Sequence, residues 1–137
     1  MLGGLINRKK KENRTFSVMV VSDTAADLSF VKATLEASGY VVHAASDPAA
    51  ALAMLDAVDM PDIFIGDFRD PETDGTHFVG KIQVRFGKST VSPVVFLLDS
   101  PEDEEVARTM GVQDILPKPL VAESLLTCVK SILESAE

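Results

Sequence analysis

The sequence has a single cysteine and no long apolar segment, and each absence excludes a class of protein. Cys128 cannot form a disulfide within the chain, which is typical of proteins in a reducing compartment. The uninterrupted apolar runs are short: Val94–Leu98 has five residues, whereas a membrane-spanning helix needs about 20. Near the N-terminus the apolar residues precede the charged ones, which is the wrong order for a secretory signal. We therefore predict a cytoplasmic protein without a transmembrane segment.

Positive charge is also scarce over most of the chain. The formal net charge is −8, but residues 1–14 carry five basic residues and one acidic residue, so this segment is +4 and the remainder is −12. An acidic surface of this kind repels nucleic acid, so we predict that the folded body binds none. The sequence predicts a flexible basic arm over 1–14 and one folded domain over 15–137. Such an arm is either a solvated tail or a contact for a membrane surface, a nucleic acid or a partner.

Short apolar runs and helical stripes alternate five times along the rest of the chain. Hydrophobic residues make up 46% and charged residues 25%, an ordinary globular composition. The predicted strands are 16–21, 40–45, 63–67, 94–98 and 114–116. The predicted helices are 24–38 with Gly39 as its stop, 48 to about 58 with a cap at Ser46-Asp47, a segment bearing Phe78, Ile82 and Phe86, a segment opening at Ser100–Asp103, and a last segment bearing Leu125, Val129 and Ile132.

Five such units predict an α/β fold with a parallel sheet covered by helices on both faces. Sheets of this kind bind ligands beyond the carboxyl ends of their strands. The residues predicted at those ends include Asp23, Asp67, Asp99 and Lys118. Gathered carboxylates repel one another and need a cation, and Mg²⁺ binds through one or two carboxylates together with waters and a phosphate. A lysine can hold a phosphoryl oxygen, so these groups together suit transfer of a phosphoryl group to an aspartate.

The spacing Asp67-Phe-Arg-Asp-Pro71-Glu-Thr-Asp74-Gly75 resembles the signature of response-regulator receiver domains. In that family a proline follows the acceptor aspartate by four residues, and Asp-Gly follows it by seven and eight. Lys118-Pro119 after the fifth strand and Asp23 after the first strand stand where the family has its lysine–proline pair and one metal ligand. The resemblance covers about residues 16–135, and three matches at the correct strand ends make it specific.

The resemblance implies a CheY-like (flavodoxin-like) fold, a doubly wound five-stranded parallel sheet of the (βα)5 type. It implies phosphorylation of Asp67 by a histidine kinase or phosphotransfer protein, with Lys118 as the catalytic lysine. It also implies Mg²⁺ held by Asp23, Asp67 and the backbone carbonyl of Arg69, and a cis peptide bond before Pro119. The expected role is a two-component signalling domain that contacts an unknown downstream protein, not an enzyme with turnover.

Four positions depart from the family pattern. Ser22 replaces the first of two acids after the first strand, so we expect Mg²⁺ binding to be weakened but not lost. Leu98 stands where the family has a switch Ser or Thr, and Ile115 replaces the aromatic partner of that hydroxyl. A hydrogen bond worth about 1.5–3 kcal/mol to a charged phosphoryl group is therefore missing. Asp99 adds a negative charge that disfavours phosphate, unless it pairs with Lys118 or the metal.

Three functions follow from this pattern. The leading hypothesis is a phosphoacceptor that signals by protein contact. Since the chain ends at Glu137, just past the last helix, the sequence predicts no attached output domain unless it is a fragment of a longer protein. The alternative is a pseudo-receiver, a binding module that works without phosphorylation, and the four departures favour it. A phosphatase of the haloacid-dehalogenase type is the least favoured, because such enzymes need an acid two residues after the nucleophile and this chain has Arg69 there.

Overall fold

The computed structural model of the chain describes residues 15–66, 92–99, 102, 104–109 and 114–135. These residues contain a five-stranded sheet in which every neighbouring pair is parallel, in the order β2-β1-β3-β4-β5. The predicted α/β fold and doubly wound topology are thus confirmed. The strands are β1 (Ser17–Val21), β2 (Val41–Ala45), β3 (Ile63–Gly66), β4 (Val94–Leu98) and β5 (Asp114–Pro117).

The central strands are continuous apolar runs because helices cover both of their faces. All four residues of β3 and all five of β4 are buried. Side chains alternate between the two faces of each strand, so that Val18 and Val20 of β1 point to one core cluster and Met19 and Val21 to the other. The sheet therefore separates two apolar cores.

The order of the strands creates a switch point between β1 and β3. From β1 the chain crosses outward to β2, whereas β3, β4 and β5 follow on the other side of β1. Crossovers on either side of this point run over opposite faces of the sheet and leave a crevice at the carboxyl ends of the two strands. The register pairs Val21 of β1 with Gly66 of β3. In the sequence, Ser22 follows β1 and Asp67 follows β3.

Two of the described helices cover the first core. Helix α1 (Ala25–Ala37) contributes Val31 and Leu35, and the last described helix (Ala122–Ser135) contributes a stripe from Leu125 to Leu133. Helix α1 ends at Ala37, one residue before the predicted end, and Gly39 follows as the predicted stop, with a φ of 94° in the left-handed region where a side chain is strained. The amide of Gly39 donates to the carbonyl of Glu36 and completes the cap.

The second core is covered by α2 (Pro48–Met54), which begins as predicted and ends early. The carboxylate of Asp47 accepts a hydrogen bond of 2.7 Å from the amide of Ala50, and a proline opens the first turn. The predicted end near Val58 is wrong by about four residues. The amides of Asp56 and Ala57 donate to carbonyls three residues back, which tightens the chain into a turn.

The remaining described helix is α3 (Glu104–Thr109), with Glu104 and Glu105 in its first turn. The last helix, Ala122–Ser135, is called α4. None of the four described helices has the length and apolar character needed to cross a bilayer. Three predicted features lie outside the described residues. They are the basic arm over 1–14, the helix bearing Phe78, Ile82 and Phe86, and the helix start at Ser100, Pro101 and Asp103.

Candidate functional site

The end of β1 delivers a buried hydroxyl and an exposed carboxylate to the switch point. Ser22 is 1% exposed, and its hydroxyl oxygen accepts a hydrogen bond of 3.1 Å from the amide of Thr24. Asp23 is exposed, and its carboxylate accepts a 3.4 Å hydrogen bond from the Thr24 hydroxyl. The N-cap of α1 is Thr24, so Asp23 does not cap the helix, and its carboxylate lies at the carboxyl end of β1 as predicted.

The end of β5 delivers the lysine. The backbone amide of Lys118 donates to the carbonyl of Leu98 at 2.9 Å, which extends the β4–β5 hydrogen bonding by one residue past the strand. The peptide bond between Lys118 and Pro119 is cis, as the family resemblance implied. The Lys118 side chain is only 13% exposed, so it is not a solvated surface lysine.

Two carboxylates hold the ammonium of Lys118. Its Nζ lies 2.8 Å from Oδ2 of Asp27 and 2.8 Å from Oδ1 of Asp99. Asp99 follows β4 directly, and the pairing decides one of the alternatives left open by the sequence: this acid pairs with the lysine. Asp27 lies in the first turn of α1, where the helix dipole also favours a negative charge.

Sequence reasoning missed Asp27 as a site residue. Its only signal is the position: four residues after Asp23, one helical turn above the carboxyl end of β1. A first-turn acid on a helix is ordinary because of the dipole, so this position alone does not distinguish a capping charge from a site residue. Asp27 becomes a site residue because the Lys118 side chain extends across the sheet edge to contact it. The sequence does not specify that path.

The position of the ammonium follows from its contacts with Asp27 and Asp99. Asp27 belongs to the element that follows β1, and Asp99 is the residue that follows β4. Since β3 is hydrogen-bonded between β1 and β4, the ammonium is held between segments that flank the end of β3. Gly66, the last residue of β3, is buried, and Asp67 is the next residue in the chain. Asp67 and Arg69 themselves lie outside the described residues, so their predicted roles stay predictions.

Of the three predicted Mg²⁺ ligands, Asp23 is the one that lies among the described residues. Among the described residues, no three acidic, histidine or cysteine side chains are grouped so that they could hold a metal ion. Asp23 is the predicted ligand that is described, and its exposed carboxylate at the switch point has the hard oxygen that Mg²⁺ prefers. The carboxylate of Asp23 is thus suited to be a magnesium ligand, and the full site with Asp67 and Arg69 stays a prediction.

The aliphatic switch positions lie where the sequence predicted them. Leu98 is the last residue of β4 and 4% exposed. Ile115 of β5 is partly buried and packs against the same core cluster. Neither side chain has a hydrogen-bond donor, so this pair fills space below the site and cannot contact a phosphoryl oxygen through a hydroxyl.

Cys128 belongs to α4 and His43 to β2, and neither lies at the carboxyl end of a strand. Cys128 is 7% exposed in the core, as predicted, and its thiol donates to the carboxylate of Asp114 at 3.3 Å. Burial, and then the hydrogen bond and charge of Asp114, raise the pKa of this thiol to about 12. His43 lies within β2, whose side chains there are half-buried, and not at a strand end. His77 lies outside the described residues.

Comparison with known proteins gives one family throughout. The model of the family described as "Response regulator receiver domain" matches residues 18–130. The transcriptional regulatory protein TrcR of Mycobacterium tuberculosis is 28% identical over 135 residues, covering 97% of this chain. The response regulator MprA of the same species is 30% identical over 118 residues, covering 85% of this chain. The chain spans about half the length of these curated relatives, 51% and 50% respectively.

The similarity extends to solved structures. The chemotaxis response regulator CheY4 of Vibrio cholerae superposes with a TM-score of 0.74 at 27% identity, over 87% of this chain and 99% of that one. Because nearly all of that protein is matched, the shared part is a complete domain of this architecture.

Proposed function

Because this chain belongs to the response regulator receiver family of two-component signalling, we propose that Asp67 is its phosphoacceptor. The observation that carries the proposal is the position of the Lys118 ammonium, which is held between Asp27 and Asp99 on either side of the end of β3. Asp67 follows that strand end directly. A cation held beside a carboxylate nucleophile is what neutralisation of a transferring phosphoryl group requires.

The proposed reaction is an in-line displacement at phosphorus. An oxygen of the Asp67 carboxylate forms a bond to the phosphorus atom of a phosphohistidine, and the phosphorus–nitrogen bond breaks. The electron pair of that bond stays on the leaving imidazole nitrogen, and the product is an aspartyl phosphate. Lys118 would hold one phosphoryl oxygen as a point charge. Asp23, Asp67 and the carbonyl of Arg69 would hold Mg²⁺, which supplies charge neutralisation when it is bound.

The proposed phosphodonor is a histidine kinase or a phosphotransfer protein in the cytoplasm, and the output is contact with a downstream protein. The face formed by β5 and its flanking helices is the proposed contact surface. Val121, which follows the cis peptide segment, is 56% exposed although it is a large apolar residue, and an apolar side chain of this kind suits a protein contact better than a solvated surface.

Intact-mass measurement after incubation with Mg²⁺ and phosphoramidate tests the proposal. We expect one phosphoryl adduct per chain in the wild type, and none in Asp67→Asn or when EDTA removes the metal. Asp23→Asn should shift the Mg²⁺ requirement to higher concentration without abolishing the adduct, because one carboxylate ligand remains. Asp59→Asn, an exposed position before β3 at the other end of the strand, is the control and should behave as wild type.

An absence of adduct at saturating donor would contradict the proposal. It would favour the pseudo-receiver, a module that binds its partner without phosphorylation. The observation that favours the pseudo-receiver is the aliphatic pair Leu98 and Ile115. A ligand shifts a conformational equilibrium only through contacts that differ between the two states, and this pair has no hydroxyl to make such a contact.

A further inference from the structure

We propose that Asp27 and Asp99 are positioning residues that restrain phosphoryl transfer by holding the ammonium of Lys118. This inference rests on the proposed function and concerns regulation of the same site. Both carboxylates lie 2.8 Å from the lysine Nζ, within the range of charge-assisted hydrogen bonds. A phosphoryl oxygen that approaches Lys118 must therefore compete with both carboxylates for the donor hydrogens of its ammonium.

The charge of the cluster supports a restraining role. One ammonium and two carboxylates carry a formal net charge of −1, so the two acids weaken the attraction of Lys118 for an incoming phosphoryl group. The lysine side chain is 13% exposed, and charges in such a partly buried position are screened less by water and salt than surface charges are. The weaker attraction and the competition for the ammonium both slow phosphoryl transfer.

The two carboxylates are not equivalent. The Asp27 side chain is 22% exposed, whereas that of Asp99 is 61% exposed. The interaction of Lys118 with Asp99 is therefore the more strongly screened, and Asp27 has the stronger hold on the ammonium. The structure thus gives an order: neutralising Asp27 should relieve the restraint more than neutralising Asp99.

The geometry also connects the site to a helix. Asp27 is in the first turn of α1, and Asp99 follows β4. If a phosphoryl oxygen displaces the Asp27 carboxylate from Lys118, α1 loses its ionic contact with the residue that follows β5. This contact is made by side chains other than Leu98 and Ile115, so it does not depend on a switch hydroxyl.

The hold on Lys118 is measured first, without any phosphorylation. Wild type, Asp27→Asn and Asp99→Asn are acetylated with an amine-reactive ester, and the rate at Lys118 is followed by peptide mass mapping. Carboxylates that hydrogen-bond to an ammonium slow its acylation, so we expect Lys118 to react about threefold to tenfold faster in Asp27→Asn, and less so in Asp99→Asn. Asp59→Asn makes the same charge change away from Lys118 and should leave the rate unchanged.

The same variants are then phosphorylated with phosphoramidate and Mg²⁺. The initial rate of adduct formation should rise about threefold to tenfold in Asp27→Asn, rise less in Asp99→Asn, and stay unchanged in Asp59→Asn. Asp27→Glu keeps the carboxylate and should keep the slow rate. That rescue separates charge from a structural role, and thermal unfolding of each variant verifies that the fold is intact.

The outcomes separate this inference from the proposed function. If wild type and the Asn variants form adduct at equal rates, the restraint is refuted and the phosphoacceptor stands. If no variant forms adduct, both are refuted. Adduct only after Asp27 or Asp99 is neutralised supports the restraint but contradicts the proposed phosphoacceptor function of the wild-type chain. Equal acylation of Lys118 in all variants refutes the hold itself.

Discussion

The thiol of Cys128 illustrates how one buried contact sets the chemistry of a side chain. The residue is 7% exposed and hydrogen-bonds to Asp114. Burial and the neighbouring carboxylate raise its pKa from 9.0 to about 12, so at neutral pH the nucleophilic thiolate is very rare. We expect iodoacetamide to alkylate Cys128 in the native protein far more slowly than in the urea-unfolded chain. Equal rates at pH 8 would contradict the buried, hydrogen-bonded position.

The same shift predicts a dependence of stability on pH. The folded-state pKa of Cys128 lies above its ordinary value, so its contribution to the free energy of unfolding is complete below pH 9.0 and is lost as the pH rises towards 12. Urea unfolding across this range should show a steeper loss in the wild type than in Cys128→Ala, which has no thiol to ionise. Parallel curves for the two chains would sink this expectation.

Ser22 offers a second test at the scale of a residue. It lies beside Asp23 at the carboxyl end of β1, where the family has an acid. Ser22→Asp adds a negatively charged oxygen ligand, so the affinity for Mg²⁺ should rise. The chain has no tryptophan, so titration calorimetry is the appropriate measurement. Ser22→Asn, which adds a neutral side chain of the same shape, is the matched control, and an equal gain in both variants would exclude charge as the cause.

Part of the site could be predicted at this scale. Asp23, Lys118 and Asp99 were identified because each follows a strand, and strand ends meet at one edge of a parallel sheet. The contact of Lys118 with Asp27 was not predicted, because it depends on where a long side chain crosses the strand ends, and sequence spacing does not encode that distance. The roles of Asp67 and Arg69 stay predictions, since these residues lie outside the described part of the chain.

At the scale of the element, α2 depends on its first turn. The helix has only the seven residues Pro48–Met54, and isolated helices of this length are unstable. The Asp47 carboxylate satisfies the free amide of Ala50 at 2.7 Å. We expect Asp47→Ala to lower the free energy of unfolding by about 1 kcal/mol, measured by urea denaturation, and Asp47→Asn to lower it less because the amide oxygen still accepts. An unchanged midpoint in Asp47→Ala would contradict the cap.

The beginnings of the described helices were predicted better than the ends. Asp47 followed by proline is a specific start signal, and Gly39 is a specific stop. Helix α2 has no glycine after it, and its apolar pattern continues through Val58, so the sequence suggested a longer helix. The change to hydrogen bonds three residues back at Asp56 and Ala57 ends it, and sequence periodicity does not signal that change.

At the scale of the molecule, one sheet joins two cores. Leu35 is fully buried on one face and Leu55 is 5% exposed on the other, and the strands between them contribute side chains to both clusters. Because the cores share these strands, we expect them to unfold together. Leu35→Ala and Leu55→Ala should each cost about 2–5 kcal/mol and keep a single unfolding transition. Two separable transitions in calorimetry would show that the layers are independent.

The architecture was predictable because several signals agreed. Five buried runs alternating with helical stripes require crossovers, and crossovers imply parallel strands. The strand order β2-β1-β3-β4-β5 does not follow from alternation, which is compatible with other orders, and the family resemblance implied only a CheY-like doubly wound sheet. The predicted boundary between a basic arm and the domain falls at residue 14, just before the described residues begin, and stays a prediction.

Lys118 is the first residue after β5, and β5 is hydrogen-bonded on one side only within the described sheet, to β4. Lys118, held by carboxylates from two other segments of the chain, thus follows a strand at the edge of the described sheet. Thermodynamic linkage then couples the ion pairs of Lys118 to the affinity of any protein that docks along that edge. If docking displaces the end of β5, it changes the strength of the ion pairs of Lys118. By linkage, weakening these ion pairs at the site must change the docking affinity by the same factor.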